Sequence, residues 1–278
     1  MLCRRASDLI PTRLGVWICC ITVLVTALAS PAFANTVTGP REKVRFDYTT
    51  TRVAAGAGLI FNASIRNPAN PDAAPVPLRR IVLVAPRGTR LRRDPADACT
   101  ASDMQFEAGG ENACPVKSKV ATGTTVTRPL GGLPFTSAVA VFNTPVGQAM
   151  LIKFGNGGSA VVRTVIKGRI STTVVPTCLT GGQPPAGCPF DQDAVVSSSL
   201  RFPRTTASGK PYLKTPPRCP SSKHWQTTVA YEYADGVTDR LTTSQPCSRR
   251  PRPSGRRRRR HRHHRHRHPA RRQKPSED

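Results

Sequence analysis

Between residues 35 and 247 apolar and polar side chains alternate in short runs, punctuated by Gly, Pro, Asn and Asp. This period of two predicts β-strands with one face turned inward. Strands are expected at 43–51, 58–66, 78–85, 118–127, 136–142, 148–154, 159–166, 169–175, 194–202, 225–233 and 237–244. Val and Thr are abundant in these runs, and β-branched side chains suit a pleated surface better than a helix. Prolines recur throughout and leave little room for long helices. Only 101–107, Ala-Ser-Asp-Met-Gln-Phe-Glu, reads as a helical turn.

The clearest element is the last hairpin. Trp225, Thr227, Val229, Tyr231 and Tyr233 share one strand face, and Asp235-Gly236 supplies the turn. Ile81–Ala85 and Ala138–Phe142 are continuously apolar, which predicts strands covered on both faces. The pattern as a whole predicts an all-β fold, an antiparallel β-sandwich, immunoglobulin-like or elaborated. It leaves open one sandwich or two immunoglobulin-sized halves.

The ends of the chain break this pattern. Arg4, Arg5 and Arg13 precede an apolar run from Gly15 to Ala29, and Ala32-Phe33-Ala34 follows. That is the layout of a secretory signal peptide over residues 1–34, with cleavage before Asn35. The apolar run is shorter than the roughly 20 residues of a membrane span. Six cysteines follow the leader: Cys99, Cys114, Cys178, Cys188, Cys219 and Cys247. An even number in an exported chain predicts three disulfides. Pairing of sequence neighbours (99–114, 178–188 and 219–247) is favoured, because each pair brackets a segment rich in turn residues. None of the six has Cys-x-x-Cys spacing, so no zinc site is expected.

Cys114-Pro-Val-Lys-Ser-Lys-Val-Ala-Thr-Gly and Leu213-Lys-Thr-Pro-Pro-Arg-Cys-Pro-Ser-Ser-Lys-His-Trp, with Tyr231 and Asp235-Gly236 downstream, carry a resemblance. Over about residues 78–247 the chain resembles secreted proteins, without an assigned activity, of high-GC Gram-positive (actinobacterial) soil bacteria. The excess of Arg over Lys fits such a genome. The resemblance implies a disulfide-bearing β domain and transfers no catalytic residue.

A search for chemistry yields no catalytic, cofactor-binding or metal-binding set. His224 is the one histidine outside the tail, and no Gly-x-Ser-x-Gly elbow accompanies it. Glu42, Glu107, Glu111, Glu232 and the aspartates include no pair whose spacing marks a glycosidase. Gly155-Asn156-Gly157-Gly158 lacks the Lys-Ser/Thr of a phosphate loop, and Asp191-Gln192-Asp193 lacks the glycine and distal Glu of a calcium loop. Asn62-Ala63-Ser64 is a formal glycosylation sequon. Trp225, Tyr231 and Tyr233 form either an aromatic platform for carbohydrate or simply the core.

Charge changes the picture most. The chain has 42 Lys+Arg against 16 Asp+Glu, a formal net charge of +26. Much of the excess lies after Ser248, where Arg256, Arg257, Arg258, Arg259 and Arg260 run unbroken. His261, Arg262, His263, His264, Arg265, His266, Arg267 and His268 follow. Such a segment repels itself and has nothing apolar to bury, which predicts a disordered tail over 248–278. Its guanidinium groups pair with phosphate and carboxylate, so anionic cell-surface polymers or lipid head groups are the expected partners. Nucleic acid would bind only non-specifically.

The sequence therefore predicts a secreted, monomeric, non-catalytic surface or interaction protein, at most envelope-associated, that needs no cofactor. The alternatives are an extracellular carbohydrate- or ligand-binding module and, behind it, a hydrolase.

Overall fold

The computed structural model describes residues 35–92, 97–129, 132–155, 157–176 and 193–248. The strands are β1 (Thr36–Thr38), β2 (Glu42–Tyr48), β3 (Gly56–Ala57), β4 (Leu59–Ile65), β5 (Leu78–Val84) and β6 (Arg90–Leu91). A helix α1 (Asp103–Gly109) precedes β7 (Lys119–Arg128), β8 (Phe135–Asn143), β9 (Gly147–Lys153), β10 (Ser159–Lys167) and β11 (Ile170–Val174). The chain ends with β12 (Ala194–Phe202), β13 (Leu213–Lys214), β14 (His224–Tyr233) and β15 (Thr238–Pro246). Each of the eleven strands expected from alternation overlaps an observed one. The helical turn is present too: Ser102 caps it, accepting from the Gln105 N–H while the Gln105 side chain accepts from the Ser102 N–H.

Twelve strands form one antiparallel sheet, in the order β1-β2-β4-β12-β7-β8-β9-β10-β11-β5-β14-β15. The expected two-sheet sandwich is not what forms. The sheet curls until its two ends approach, giving a nearly closed barrel. Alternation fixes which face of each strand is buried, and that face is the same whether it meets a second sheet or the far side of its own. The strands β3, β13 and β6 form a separate small sheet, and Leu91 and Leu213 from it turn toward the barrel interior. The strand register places this cap at the end where β2 finishes and β14 begins.

What joins the two ends is a seam between β2 and β15. Residues 197 apart in sequence face one another there: Tyr48 meets Gln245 and Thr51 meets Ser248. The Tyr48 N–H donates to Gln245 Oε1 (2.8 Å), and Gln245 Nε2 donates to the Tyr48 carbonyl (2.7 Å). A side-chain amide thus does for Tyr48 what a neighbouring strand would do, and both groups are buried. Farther on, Ser248 N donates to the Thr51 carbonyl and Val53 N to that of Ser248, in a parallel bridge. Cys219–Cys247 (Cα–Cα 5.7 Å) clamps the same end.

At the other end the seam carries charge. Glu42 is 1% exposed, and its Oε1 accepts a short hydrogen bond from the Tyr233 hydroxyl. Arg41 stacks over the Tyr233 ring and pairs with Asp235 (2.8 Å), with Asp239 3.8 Å from its Nε. Burial raises the Glu42 carboxyl above the ordinary carboxylate range, and neighbouring Asp239 raises it further. Oε2 of Glu42 and Oδ2 of Asp239 are both buried without a hydrogen-bond donor among the described residues.

The outer wall explains the continuously apolar runs. In 138–142, Val139 and Val141 join the inner core while Ala140 and Phe142 lie under α1, packed with Phe106, Ala149 and Leu151; Ala138, expected to be covered, is exposed. Arg163 fixes the helix, pairing with Asp103 (2.6 Å) and lying over the Phe106 ring. Cys99–Cys114 (Cα–Cα 5.1 Å) ties off the same segment. The expectation of two-sided cover at Ile81–Ala85 is corrected: Ile81 and Leu83 face the interior, but Val82 and Val84 are half-exposed along an outer groove with Ala230. At the β14–β15 turn Gly236 takes φ +82°, as the expected hairpin requires. Cys178 and Cys188, the leader and the tail beyond Ser248 lie outside the described residues.

Two outcomes test the seam. Gln245→Ala leaves a buried N–H and carbonyl unpaired and should cost about 2 kcal/mol or more of stability by chemical denaturation. Glu42→Gln tests the sign of the buried carboxyl. A carboxyl held above its unfolded pKa contributes stability fully below about pH 4 and loses it as pH rises through the folded value. The variant, which cannot ionise, should therefore gain on the wild type in Tm between about pH 5 and pH 8.

Candidate ligand cavity

The inward faces of β2, β4, β5, β9, β10, β11 and β12 surround a cavity of about 180 Å³. Strand alternation places its walls: Phe46, Phe61, Ile81, Leu83, Met150 and Leu200 all project inward from positions two apart from other inward residues. Phe61, Ile81, Leu83, Met150 and Val195 remain only partly buried although they point inside. An eight-stranded barrel is just filled by its own side chains or holds one small ligand. Here twelve strands enclose the space, and the large residues Phe46, Tyr48, Phe202 and Tyr231 do not fill it.

The polar groups on the wall are mostly engaged with the protein. Thr125 Oγ1 donates to the Ser197 carbonyl (3.0 Å), Thr164 and Thr173 pair through their hydroxyls (2.8 Å), and Gln148 Nε2 donates to the Tyr212 hydroxyl (3.0 Å). Tyr48 pairs with Thr89 (3.0 Å), and burial pushes its phenol up to about 12. The Tyr231 hydroxyl differs. It is buried with no partner among the described residues, and burial together with the nearby Glu42 pushes its phenol well above the ordinary tyrosine range. At neutral pH it stays protonated, and its oxygen is closed off from the accessible space of the cavity.

Two of the lining residues are exposed, Gly168 and Arg169, and they form the β10–β11 turn. The Arg169 carbonyl accepts from Ala85 N–H (2.9 Å), which joins this turn to the exit of β5 near Thr89. A guanidinium therefore stands at the rim of an otherwise apolar space. Chemically the arrangement excludes water from an apolar group and offers a cation to an acidic head at the mouth.

The residues singled out from sequence fall elsewhere. Trp225, Tyr231 and Tyr233 are at most 2% exposed, so they are core and present no platform to an external sugar. His224 is exposed, its Nδ1 2.7 Å from the Ser222 carbonyl. Glu111 is held below the ordinary carboxylate range by hydrogen bonds from Lys119 and Lys153, Glu232 pairs with Arg80 (3.2 Å), and Glu107 is exposed. Glu42 and Asp239 do come together, but inside the seam. Asn62 of the sequon lies on β4, where its Oδ1 accepts from Ser199 (2.8 Å). Gly155, Gly157 and Gly158 lie in the turn that joins β9 to β10, with Phe154 N donating to the Gly158 carbonyl. Asp191 and Gln192 lie outside the described residues, as do Arg256–Arg260, Arg262, Arg265 and Arg267. Among the described residues no group of His, Cys, Asp and Glu is placed to hold a metal ion.

The cavity has no single sequence signature. The inward positions were legible by alternation, whereas the space between them depends on how far the sheet curls before it closes. Arg169 carries no motif either; it is a turn residue that the curl brings to the mouth.

The two disulfides among the described residues fit an oxidising, extracellular setting. No helix among the described residues is long and apolar enough to cross a membrane. Comparison with protein-family models and with curated proteins finds no match. Among solved structures the chain is similar to a DUF4466 family protein from Parabacteroides merdae, at 8% identity and a TM-score of 0.26. The likeness covers 75% of this chain and 45% of that one, so this chain spans less than half the length of its neighbour.

Proposed function

We propose that the protein is a secreted, non-catalytic binding protein whose barrel interior takes a small apolar ligand or the apolar end of an anionic amphiphile. The cavity carries this reading: its walls are apolar, partly accessible side chains, and its exposed rim holds Arg169. A dry cavity of roughly 150 Å³ lined by aliphatic and aromatic groups binds benzene, so about 180 Å³ suffices for an aromatic ring or part of an acyl chain. The Arg/His tail acts separately, holding the barrel near anionic envelope polymers through guanidinium pairing.

Calorimetry with neutral aromatics and a series of fatty acids tests the cavity. Affinity should rise by about 0.8 kcal/mol per buried methylene and level off when the space is full, with a negative heat-capacity change. Ser198→Trp and Ala63→Phe, each placing a ring into the cavity, should abolish binding while the fold persists by circular dichroism. Arg169→Gln should weaken octanoate several-fold and leave octanol unchanged. Chain-length-independent binding, or binding unaffected by both ring substitutions, would contradict the reading.

The tail predicts a different signature. Co-sedimentation with isolated cell envelopes should fall steeply as salt rises, because the association releases counterions. It should strengthen from pH 8 to about pH 5.5 as the tail histidines charge. Truncation at Ser248 should remove the pH dependence and flatten the salt dependence.

A further inference from the structure

We infer that the cap end of the barrel is a docking face for an anionic lipid membrane, with the cavity mouth turned toward the bilayer. The inference rests on the ligand-cavity reading and extends it by naming where the ligand comes from.

Three observations converge on this end. First, the cap carries cations: Arg90, Arg92, Lys210 and Lys214 line one groove with Leu91, Pro211 and Tyr212. The adjoining hollow adds Lys117, and Asp97 is the one acidic residue lining either. Exposed Arg52, Arg87 and Arg218 sit in the loops packed against the cap: Thr215 Oγ1 donates to the Arg52 carbonyl, Gly88 lies against Pro217, and the Arg218 carbonyl accepts from Trp225. By strand register the acids Glu42, Glu232, Asp235 and Asp239 lie toward the opposite end. Arg41, Arg66, Arg79, Arg80 and Arg240 share that end with them, so what sets the cap apart is that its two hollows hold a single acid among their cations.

Second, the cavity mouth opens at the same end, and its surroundings are amphipathic. Exposed Val146 (64%) and Ile170 (42%) flank exposed Lys167 and Arg169. The Val146 carbonyl accepts from Ile166 N–H (3.0 Å), which holds the β8–β9 turn beside the β10–β11 turn. Aliphatic tips among cations match the head-group boundary of an anionic bilayer, where apolar groups enter and basic groups stay with phosphate.

Third, the chain leaves the barrel here. Ser248 is bridged to Arg52, and the run from Arg256 begins eight residues later. The basic run is therefore tethered to the barrel at the cap end. An anionic polymer would account for the charge alone. A lipid surface also accounts for the exposed Val146 and Ile170 and for an apolar cavity whose exposed rim, Gly168 and Arg169, lies beside them.

The test places a reporter at each end of the full exported chain. Val146→Trp puts an indole at the mouth, and Val237→Trp puts one at an exposed site in the β14–β15 turn at the far end. Each is mixed with phosphatidylcholine vesicles containing or lacking phosphatidylglycerol, with acyl chains brominated to quench fluorescence on contact. With phosphatidylglycerol present, Val146→Trp should shift to the blue and be quenched, and Val237→Trp should not. A triple Arg90→Ala, Lys210→Ala, Lys214→Ala variant with its tail intact should lose vesicle partitioning by roughly ten- to a hundredfold. Equal quenching at both sites, or none at Val146→Trp in protein that co-floats with vesicles, would overturn the inference, as would full partitioning of the triple variant. Binding to isolated anionic wall polymer with no flotation on vesicles would overturn it in favour of the polymer. Fatty-acid calorimetry without vesicles separates these outcomes from a failure of the cavity itself.

Discussion

Closing one long sheet on itself is the constraint from which the rest of this structure follows. A sheet with two open edges would expose unpaired backbone groups and could not enclose a space. Here β2 and β15 come together across 197 residues, and the buried exchange between Tyr48 and Gln245 stands where a strand–strand ladder would be. Cys219–Cys247 and the Thr51–Ser248 contact hold one end of that seam, and Arg41, Glu42, Tyr233 and Asp239 occupy the other. Burying Glu42 is costly, which raises its carboxyl pKa. The seam thus joins polar side-chain pairing to the formation of an apolar interior.

The interior shows what closure does to side chains that alternation alone would count as core. Phe61, Ile81, Leu83 and Met150 point inward, as their strands dictate, yet keep accessible surface. The small cap sheet covers the end near Thr89 without sealing it, and the β10–β11 turn leaves Arg169 at the rim. An apolar space with one cationic lip, beside a cap groove lined by further cations, links the proposed ligand to the proposed surface.

Much of this was legible in the sequence because it is local. Trp225 to Tyr233 alternate and pair with β15 across Asp235-Gly236 as expected. Ser102 and Gln105 mark the helix by a capping box. Cys99–Cys114 and Cys219–Cys247 join neighbours across segments of 15 and 28 residues. What was not legible is long-range. The expected sandwich and the observed barrel bury the same faces, and only the meeting of Tyr48 with Gln245 distinguishes them. The two-residue strands of the cap are too short to show a period, and Glu42 gave no sign of Asp239.

The central claim is that the barrel interior is the binding site, and the methionines offer a direct view of it. Met150 lines the cavity and Met104 lies exposed on α1 outside the barrel. A titration of methyl-labelled methionine with octanoate, followed by carbon–proton correlation spectra, separates the two. The account predicts that the Met150 methyl signal moves to a saturating shift while that of Met104 stays in place. Movement of Met104 alone, or a Met150 signal unchanged at saturating octanoate, would contradict it.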